Sequence, residues 1–501
     1  MKRQAKQLLR DARAGEAHAL ERLATLPVMR TMPPSALATH QLKLHDAQSV
    51  IAREYGFQSW PEIKRFIQWK QASRAERLKG WLEWIYDGRP RERRLAIRML
   101  GEEPEFLSGD AWVACATGDE STLRKALSDH TSWANCPGGP LAMPPLVAVT
   151  HSPLILEPEF EPHLLDSARL LLQHGADINS AWTNPKQPDF QLSALYGAAG
   201  RTHHVDMLKL LLDAGANPDD NESLYHSIES RDSTCTRLLL EAGARVVGTN
   251  AIGRALDYGK LNDLQLMLER GGDAKDLPWI HHAILRGRSI EYVRALVDAG
   301  ADLCATNRDG VSVYRWAQLH GRTDVVEVLR NAGIEEPLTD EEQFVAACAR
   351  GDDTIARVIQ KRVPDVFSRL TEKQLQALPE QADIGDLRAV RTMLEAGWPR
   401  ESKSAWDATA LNLAVYRGDA EMAELLLKFG ADWRTKHGFG DNVLGTLSYA
   451  SQNDVEDLSA PRDYLGCART LVTYNVPLPD EHYRFSTEVA EYFDMIRLRA
   501  G

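Results

Sequence analysis

The sequence contains few cysteines and no long apolar run, and these two absences exclude several classes of protein. Its 501 residues include six cysteines, which lie at least 21 positions apart and form no Cys-X-X-Cys pair. That spacing favours free thiols in a reducing compartment over a disulfide framework or a zinc site. No apolar run reaches the roughly 18–20 residues that a membrane-spanning helix needs. Charged residues also interrupt the start of the chain, where a secretory signal would be apolar. We therefore predict a cytoplasmic protein without a membrane anchor.

Sequence signatures of catalysis are also lacking. The chain has no GxxxxGK[ST] phosphate loop, no GxGxxG after a strand, no GxSxG nucleophile elbow and no HExxH zinc motif. Each of these patterns places a phosphate cradle, a nucleophile or metal ligands at a fixed spacing. We therefore predict that the protein is not an enzyme and has no catalytic, cofactor-binding or metal-binding residues.

Charge is distributed unevenly along the chain. The net charge of −12 combines a balance of +10 over residues 1–100, with 20 Lys and Arg against 10 Asp and Glu, and a balance of −22 over the rest, with 39 against 61. A basic segment of this kind can face nucleic acid, an acidic partner or the acidic part of its own chain. The sequence therefore predicts two electrostatically different parts.

A Leu-rich phrase that ends in a glycine recurs along the chain and indicates an internal repeat. It reads LLLQHGAD at 170–177 and returns seven times, for example as LLLKFGAD at 425–432. The turn glycines are Gly175, Gly215, Gly243, Gly271, Gly300, Gly333, Gly397 and Gly430. Successive glycines are 28 to 40 residues apart, apart from one double interval of 64, so the period is close to 32 residues. A regular period of 20–50 residues predicts a repeat architecture.

A shorter segment rich in small residues precedes the Leu-rich phrases, as in SALYGAAGR (193–201) and TALNLAVYRGD (409–419). Small residues let this inner helix pack closely on the next repeat, and a glycine or polar turn leads into the outer helix. The two-helix unit resembles the ankyrin repeat with its TPLHxAAxxG segment. The resemblance implies an all-α fold: an ankyrin-repeat solenoid of about 10–11 repeats with an N-terminal helical module and a C-terminal capping helix.

These patterns predict three parts: an N-terminal helical module or cap at 1–109, the ankyrin-repeat solenoid at 110–480 and a capping helix at 481–501. Three repeats depart from the pattern. One has a Pro- and Glu-rich insertion at about 151–163, the unit at 340–368 has lost its turn glycine, and the last contains a polar insertion at 451–463.

The N-terminal module shows helical periodicity at 5–26, and at 42–69 a helix, a turn at Gly56 and a second helix that Ser59-Trp60-Pro61 begins. Ser before Pro is typical of a helix start. The phrases AREYGF and SWP resemble the helical module of many bacterial ankyrin-repeat proteins, which indicates a bacterial source. Opposite charge and four tryptophans predict that the module docks on the first repeat as its cap; they are Trp60, Trp69, Trp81 and Trp84.

Histidines form the most prominent candidate ligand sets. The pairs His203-His204 and His281-His282 are adjacent in sequence, so their side chains point about 100° apart on a helix, which is poor metal geometry. A third set joins His40 to His45 and Asp46, but a spacing of five residues also separates the two rings on a helix. We interpret all three sets as structural.

Aromatic and basic residues alternate near the end of the N-terminal module. Trp81 and Trp84 precede a basic group, Arg89, Arg91, Arg93 and Arg94. Rings and arginines together can bind single-stranded nucleic acid by stacking and charge. The alternative, which we favour, is that the tryptophans pack into the core while the arginines face solvent or the acidic repeats.

The remaining candidate is a surface. Residues at the ends of the inner helices should face the groove that ankyrin stacks use for binding, and there arginine, tyrosine and histidine are frequent, as in protein interfaces. We name these residues the inner-helix row: His151, Arg201, Glu229, Asp257, Tyr258, Arg286, His320, Arg350, Tyr416 and Arg417. We predict a non-enzymatic scaffold or regulator that binds a protein partner on this concave row. The alternative is an enzyme or a nucleic-acid-binding regulator that acts through the basic module, although nucleic acid is the less favoured partner.

Overall fold

The computed structural model is built almost entirely from α-helices, as the sequence predicts. It describes residues 1–26, 29–30, 42–57, 59–87, 90–130, 132–184, 188–453, 460–480 and 483–500. One two-stranded antiparallel sheet is present in these ranges, in which β1 (Ala181–Thr183) pairs with β2 (Gln191–Ser193) and Trp182 lies opposite Leu192. Among the described helices, none combines the length and the apolar character that crossing a bilayer requires.

Seven helices precede the repeats within the described residues. They are α1 (Lys2–Arg13), α2 (Ala17–Leu23), α3 (Leu44–Glu54), α4 (Trp60–Gln71), α5 (Arg74–Tyr86), α6 (Pro90–Glu102) and α7 (Pro104–Leu107). The predicted helix at 5–26 is broken in two because Gly15 adopts φ +83°, a left-handed conformation that ends α1. Gly56 turns the chain as predicted, with φ +76°. A capping box begins α5, since the Glu76 and Ser73 side chains each accept a backbone N–H of the other residue.

Eleven helix pairs follow in the described part of the chain. The inner helices are α8 (Ala111–Thr117), α10 (Pro145–Thr150), α12 (Ala194–Tyr196), α14 (Ser223–Ser227), α16 (Ala251–Asp257), α18 (Trp279–Leu285), α20 (Val313–Leu319), α22 (Asp340–Ala349), α26 (Ala377–Ile384), α28 (Ala410–Arg417) and α30 (Val443–Ala450). The outer helices are α9 (Glu120–Asp129), α11 (Glu161–Gln173), α13 (Val205–Asp213), α15 (Thr234–Glu241), α17 (Leu261–Glu269), α19 (Ile290–Asp298), α21 (Thr323–Asn331), α23 (Asp353–Arg362), α27 (Leu387–Ala396), α29 (Ala420–Lys428) and α31 (Tyr464–Thr473). The final helix is α32 (Thr487–Ala500).

The departures from the repeat pattern have local causes. In the unit without a turn glycine, α23 ends before the Val363-Pro364 step, because proline cannot continue a helix. Two short helices, α24 (Val366–Arg369) and α25 (Glu372–Leu375), follow before α26. In the second repeat a short 3₁₀ helix, Pro153–Leu156, precedes the outer helix. Within the polar insertion at 451–463, residues 454–459 lie outside the described residues.

The chain forms two compact units. The larger unit comprises residues 1–50, 256–261 and 274–501, and the smaller unit comprises residues 51–255 and 262–273. In the larger unit, Phe344 stacks on Trp398 and Phe367 meets both rings edge-on, with centroids 5.3 to 6.1 Å apart. Helix α32 packs on α31 and buries Val489 and Phe493. This packing covers the apolar side of the last repeat.

In the smaller unit, the tryptophans expected to dock the N-terminal module pack mainly within that module. Trp69 contacts Trp84 and Phe106 with ring centroids 6.3 and 5.5 Å apart. Trp81 is fully buried and its Nε1 donates a hydrogen bond to the Ala96 carbonyl, 2.9 Å away. A tyrosine makes the contact with the repeats instead: the buried Tyr86 hydroxyl donates to the carbonyl of Ala148 in α10, at 2.7 Å. Helix α5 also packs on α8.

The inner-to-outer turn at Gly418 allows a strong test of the repeat packing. Gly418 adopts φ +70°, and a Cβ there would lie 2.6 Å from Cα of Arg462. We expect Gly418→Ala to lower the free energy of unfolding by about 2–4 kcal/mol, because left-handed strain adds to a backbone clash. The control is Gly333→Ala, where φ is +77° but nothing lies within 4 Å, so only about 1 kcal/mol should be lost. Urea denaturation measures both, and equal losses would contradict the close approach.

Candidate partner-binding surface

The inner-helix row lies at or just after the carboxyl ends of the inner helices, since α12 continues to Arg201 as a π-helix, Gly197–Arg201. Most of its residues bond to other repeats. His151 is 1% exposed, and its Nε2 lies 2.8 Å from the carbonyl oxygen of Ser193 in the next repeat. Arg201 Nε donates to the His151 carbonyl at 3.1 Å. Burial, reinforced by the positive charge of Arg201, lowers the pKa of His151 to about 3. His151 therefore stays neutral and joins the repeats instead of facing a partner.

Glu229 is the centre of a charged group between the fourth and fifth inner helices. It accepts hydrogen bonds from His226 Nδ1 at 2.7 Å and from Arg254 Nε at 3.2 Å. Burial raises the pKa of Glu229, but these two donors outweigh it and hold the pKa below the usual value. The Arg254 guanidinium also lies over the Tyr225 ring, 4.9 Å from its centroid. Glu229 is therefore a fixed carboxylate.

In the larger unit, Asp257 has a similar role. It accepts from His282 Nε2 at 2.8 Å and from Arg286 Nε at 2.7 Å. Burial raises the pKa of Asp257, but the His282 hydrogen bond and the Arg286 charge together lower it by more, so the net shift is downward. Arg286 also lies 3.8 Å from Asp383, and Tyr258 next to Asp257 is half-buried.

The next two row residues are also bonded. His320 is 6% exposed; its Nδ1 lies 2.9 Å from the Trp316 carbonyl and its Nε2 3.3 Å from Glu380. Arg350, half-buried, donates from Nη1 to the Gln318 side-chain oxygen at 3.2 Å. The side chains of this part of the row thus connect repeats to one another.

The last two row residues lie at the end of α28. Arg417 is 6% exposed, and its carbonyl accepts from the Arg462 N–H at 3.0 Å. Tyr416 is half-buried and belongs to a cluster of rings that the sequence did not reveal. We name this cluster the aromatic patch: Trp406, Tyr416, His437, Phe439 and Tyr449.

Two adjacent hairpin tips and two inner helices build the aromatic patch. Trp406 lies 5.6 Å from Tyr416, 5.4 Å from His437 and 6.1 Å from Phe439, measured between ring centroids. Tyr449 is nearly parallel to Tyr416 at 6.5 Å. Phe439 is 80% exposed and Tyr449 58% exposed, whereas His437 is buried. The patch is therefore an exposed aromatic surface with a buried base.

The sequence contains a pattern that indicates the aromatic patch, although the inner-helix row does not include it. Trp406 and Phe439 are 33 residues apart, as are Tyr416 and Tyr449, so each pair occupies equivalent positions of consecutive repeats. The inner-helix row contains only residues at the ends of the inner helices and therefore excludes the hairpin tips. A search for aromatic residues at one repeat period would have found all four.

The candidate metal ligands are engaged in local structural bonds. His203 Nδ1 lies 2.7 Å from the Ala199 carbonyl, and the Nδ1 of His204 accepts the Met207 N–H at 3.2 Å. His281 bonds the Val311 carbonyl through Nε2 at 2.9 Å. Asp46 caps its helix by accepting the Lys43 N–H, while His40 lies outside the described residues. Within the described ranges no three His, Cys, Asp or Glu side chains form a metal-ligand group.

The aromatic and basic segment of the module offers little surface for nucleic acid stacking. Trp81 is fully buried, and Trp84 packs on Trp69. Burial lowers the pKa of Arg93, and the charge of Arg201 lowers it further. Arg89 and the side chain of Arg91 lie outside the described residues. Trp81 therefore belongs to the core, as the favoured interpretation predicts, whereas Trp84 is half-buried and Arg93 is half-buried rather than fully exposed to solvent.

Comparison with known protein sequences supports the repeat assignment. The ankyrin repeat family model matches residues 191–222 and 406–437. An ankyrin repeat-containing protein of Treponema pallidum (strain Nichols) is 30% identical over 117 residues, which are 23% of this chain and 39% of that protein. The chain thus matches about two fifths of the length of this relative. The human ASB11 ankyrin repeat domain, at 18% identity, aligns with 46% of this chain and 99% of its own at a TM-score of 0.22.

The helix pairs recur at the predicted period, and both matched segments coincide with such pairs and their hairpin tips. Small residues are buried along the inner helices, for example Ala410 and Ala414 in α28, as close packing of ankyrin repeats requires. The predicted fold class, an all-α ankyrin-repeat solenoid, is confirmed. The chain contains ankyrin repeats, which the family model locates at residues 191–222 and 406–437.

Proposed function

We propose that this protein is a non-enzymatic scaffold or regulator that binds a protein partner on the surface formed by its inner helices and hairpin tips. Ankyrin repeats are generally protein–protein interaction modules. The observation that carries the proposal is the aromatic patch, because Phe439 and Tyr449 expose large rings that the fold of the repeat does not need. Exposed aromatic side chains are frequent anchors in protein interfaces.

The structure of the row supports a rigid rather than an adaptable surface. Its charged side chains are fixed by hydrogen bonds between repeats, as Glu229 and Asp257 show. A surface whose side chains are already ordered loses less conformational entropy when a partner binds. We propose that the accessible row residues, among them Arg286 and Tyr416, contact the partner, while buried His151, His320 and Arg417 maintain the surface.

We propose the cytoplasm as the location. All six cysteines are free thiols, and four of them are buried. Burial raises the pKa of Cys235 and Cys348 to about 12, so these thiols remain protonated and unreactive. Unpaired cysteines of this kind fit a reducing compartment.

Affinity capture tests the scaffold proposal. The full-length chain, immobilised through one terminus and exposed to a lysate of its source cell, should retain a defined protein that mass spectrometry identifies and that binds the purified chain directly. Tyr416→Ala together with Arg286→Ala should weaken that direct binding by about tenfold, since interface anchors contribute on the order of 1–2 kcal/mol each. The control is Phe190→Ala, which removes an exposed ring elsewhere in the chain. Failure to capture any directly binding protein would refute the proposal.

A further inference from the structure

We propose that the aromatic patch is a docking site for an arginine-bearing, extended segment of a partner protein. This inference rests on the proposed function, because it specifies which part of the surface binds and what chemistry it selects. The patch offers ring faces at Trp406 and Phe439 on the hairpin tips and at Tyr449 on the adjoining helix. A planar guanidinium stacks on such faces and is attracted by their electron density.

Elsewhere the chain covers aromatic rings with its own cations. Arg77 lies 4.1 Å from the ring centroid of Trp69, and Arg98 lies 4.1 Å from that of Phe57. Arg434 similarly lies over Trp433 at 4.7 Å. In the part of the chain that the structure describes, no lysine or arginine lies over Trp406, Phe439 or Tyr449. These three rings are therefore left for a cation from outside the chain.

Charge favours the same occupant. Residues 101–501, which contain the patch, carry a balance of −22. At the patch itself, the Asp407 side chain is 59% exposed next to Trp406, and Lys403 is the cation paired with it, at 2.8 Å. An incoming guanidinium can share the carboxylate of Asp407 while it stacks on the neighbouring ring. Asp407, which a guanidinium can share with Lys403, is thus the charge at the patch that favours a basic segment.

The backbone holds Trp406 in place for this role. Trp406 and Asp407 adopt φ +45° and +57°, two consecutive left-handed conformations at residues other than glycine. Such conformations cost on the order of 1–3 kcal/mol each and are frequent at ligand-binding sites. The neighbouring tip stabilises them, since the Gly438 N–H donates to the Trp406 carbonyl at 2.9 Å. A Cβ at Gly438 would lie 2.8 Å from that carbonyl oxygen, so glycine permits the contact between the two tips.

An extended segment fits the spacing of the patch better than a single side chain does. The rings belong to two consecutive repeats, with Trp406 and Tyr416 one period before Phe439 and Tyr449. Arginines at alternate positions of an extended chain lie about 7 Å apart, which is comparable to the 6.1 Å and 6.5 Å between equivalent rings of the two repeats. Two arginines of one segment can therefore reach rings of both repeats.

Fluorescence anisotropy with labelled peptides tests this inference on the full-length chain. The probes are four acetylated and amidated peptides, each about 12 residues long, with Ala alternating with Arg, Lys, Glu or Leu. We expect the arginine peptide to bind most tightly and the glutamate peptide not to bind. The double variant Phe439→Ala/Tyr449→Ala should weaken binding of the arginine peptide at least ~5-fold, as expected when cation–π contacts are lost. Both side chains are exposed, so the thermal midpoint should not change.

Phe190→Ala is the matched control, because it removes a ring that is 48% exposed outside the patch. It should bind the arginine peptide as the unchanged chain does, whereas Asp407→Asn should weaken binding about twofold.

Four results would overturn the inference. They are unchanged affinity in the double variant, tighter binding of the leucine peptide, no binding of the arginine peptide at millimolar concentration, and self-association of the chain that the double variant abolishes. A partner captured equally well by the double variant would overturn this inference but leave the scaffold function intact.

Discussion

Removal of residues 1–105 should leave a repeat array that aggregates or unfolds at a markedly lower temperature than the full chain. The reason is the packing of α5 on the first two repeats: α5 packs on α8, and the buried Tyr86 bonds the Ala148 carbonyl in α10. Leu82 and Tyr86 line one small cavity together with Trp112 and Met143, and these two residues would become more exposed. Loss of the buried side chains of Leu82 and Tyr86 should lower the free energy of unfolding by about 3–6 kcal/mol, at roughly 1.5–3 kcal/mol for each. End repeats without a cap are also prone to aggregate.

Light scattering and thermal unfolding measure this effect on the truncated chain. Tyr86→Phe is the control, since it keeps the ring and removes one hydrogen bond, at a cost of about 1 kcal/mol. A truncated chain that stays soluble, monomeric and equally heat-resistant would show that the module is an independent domain. The module would then be a candidate binding surface of its own.

The second large effect is the acid sensitivity that His151 confers. The unfolded chain titrates this ring near the ordinary value of 6.5, whereas the folded chain holds the pKa at about 3. Between these values the unfolded state binds a proton that the folded state does not, so stability falls as the pH falls below 6.5. At pH 5 the loss is about 2 kcal/mol, since each pH unit corresponds to about 1.4 kcal/mol.

The variant His151→Gln isolates this contribution, because glutamine can donate a similar hydrogen bond but does not titrate. Between pH 7.5 and pH 5, the free energy of unfolding of the variant should rise by about 2 kcal/mol relative to that of the unchanged chain. Carboxylates with lowered pKa, such as Glu229 and Asp257, lose stability at still lower pH in both chains and cancel in the difference. A difference that does not change with pH would contradict the buried neutral ring.

The sequence predicted the repeats well because the same local residue pattern recurs in most of them. A glycine with positive φ ends the outer helices of most repeats, and small residues recur wherever inner helices pack closely. The rule was less informative where the period fails. At Val363-Pro364 the sequence showed that the turn was lost, but the two short helices that follow, and the packing of Phe367 on Phe344 and Trp398, depend on tertiary contacts.

The candidate surface was predicted only in outline. The sequence placed the row residues at the ends of the inner helices, but it could not show that Glu229 would bond Arg254 or that Asp257 would bond Arg286. Such pairs depend on the offset between neighbouring repeats, which a single repeat does not encode. The aromatic patch was missed for a different reason, because the left-handed tip that positions Trp406 carries neither glycine nor asparagine.

The bonds of Arg286 and His320 have a consequence for how the larger unit unfolds. In most repeat arrays each repeat contacts only its immediate neighbours, so stability is a sum of independent interfaces. Here Arg286 of the sixth helix pair and His320 of the seventh both reach α26 of the ninth, through Asp383 and Glu380. Gly287 also lies against Ile384. These contacts connect repeats that are not consecutive within residues 279–396, so we expect those repeats to unfold together rather than one at a time.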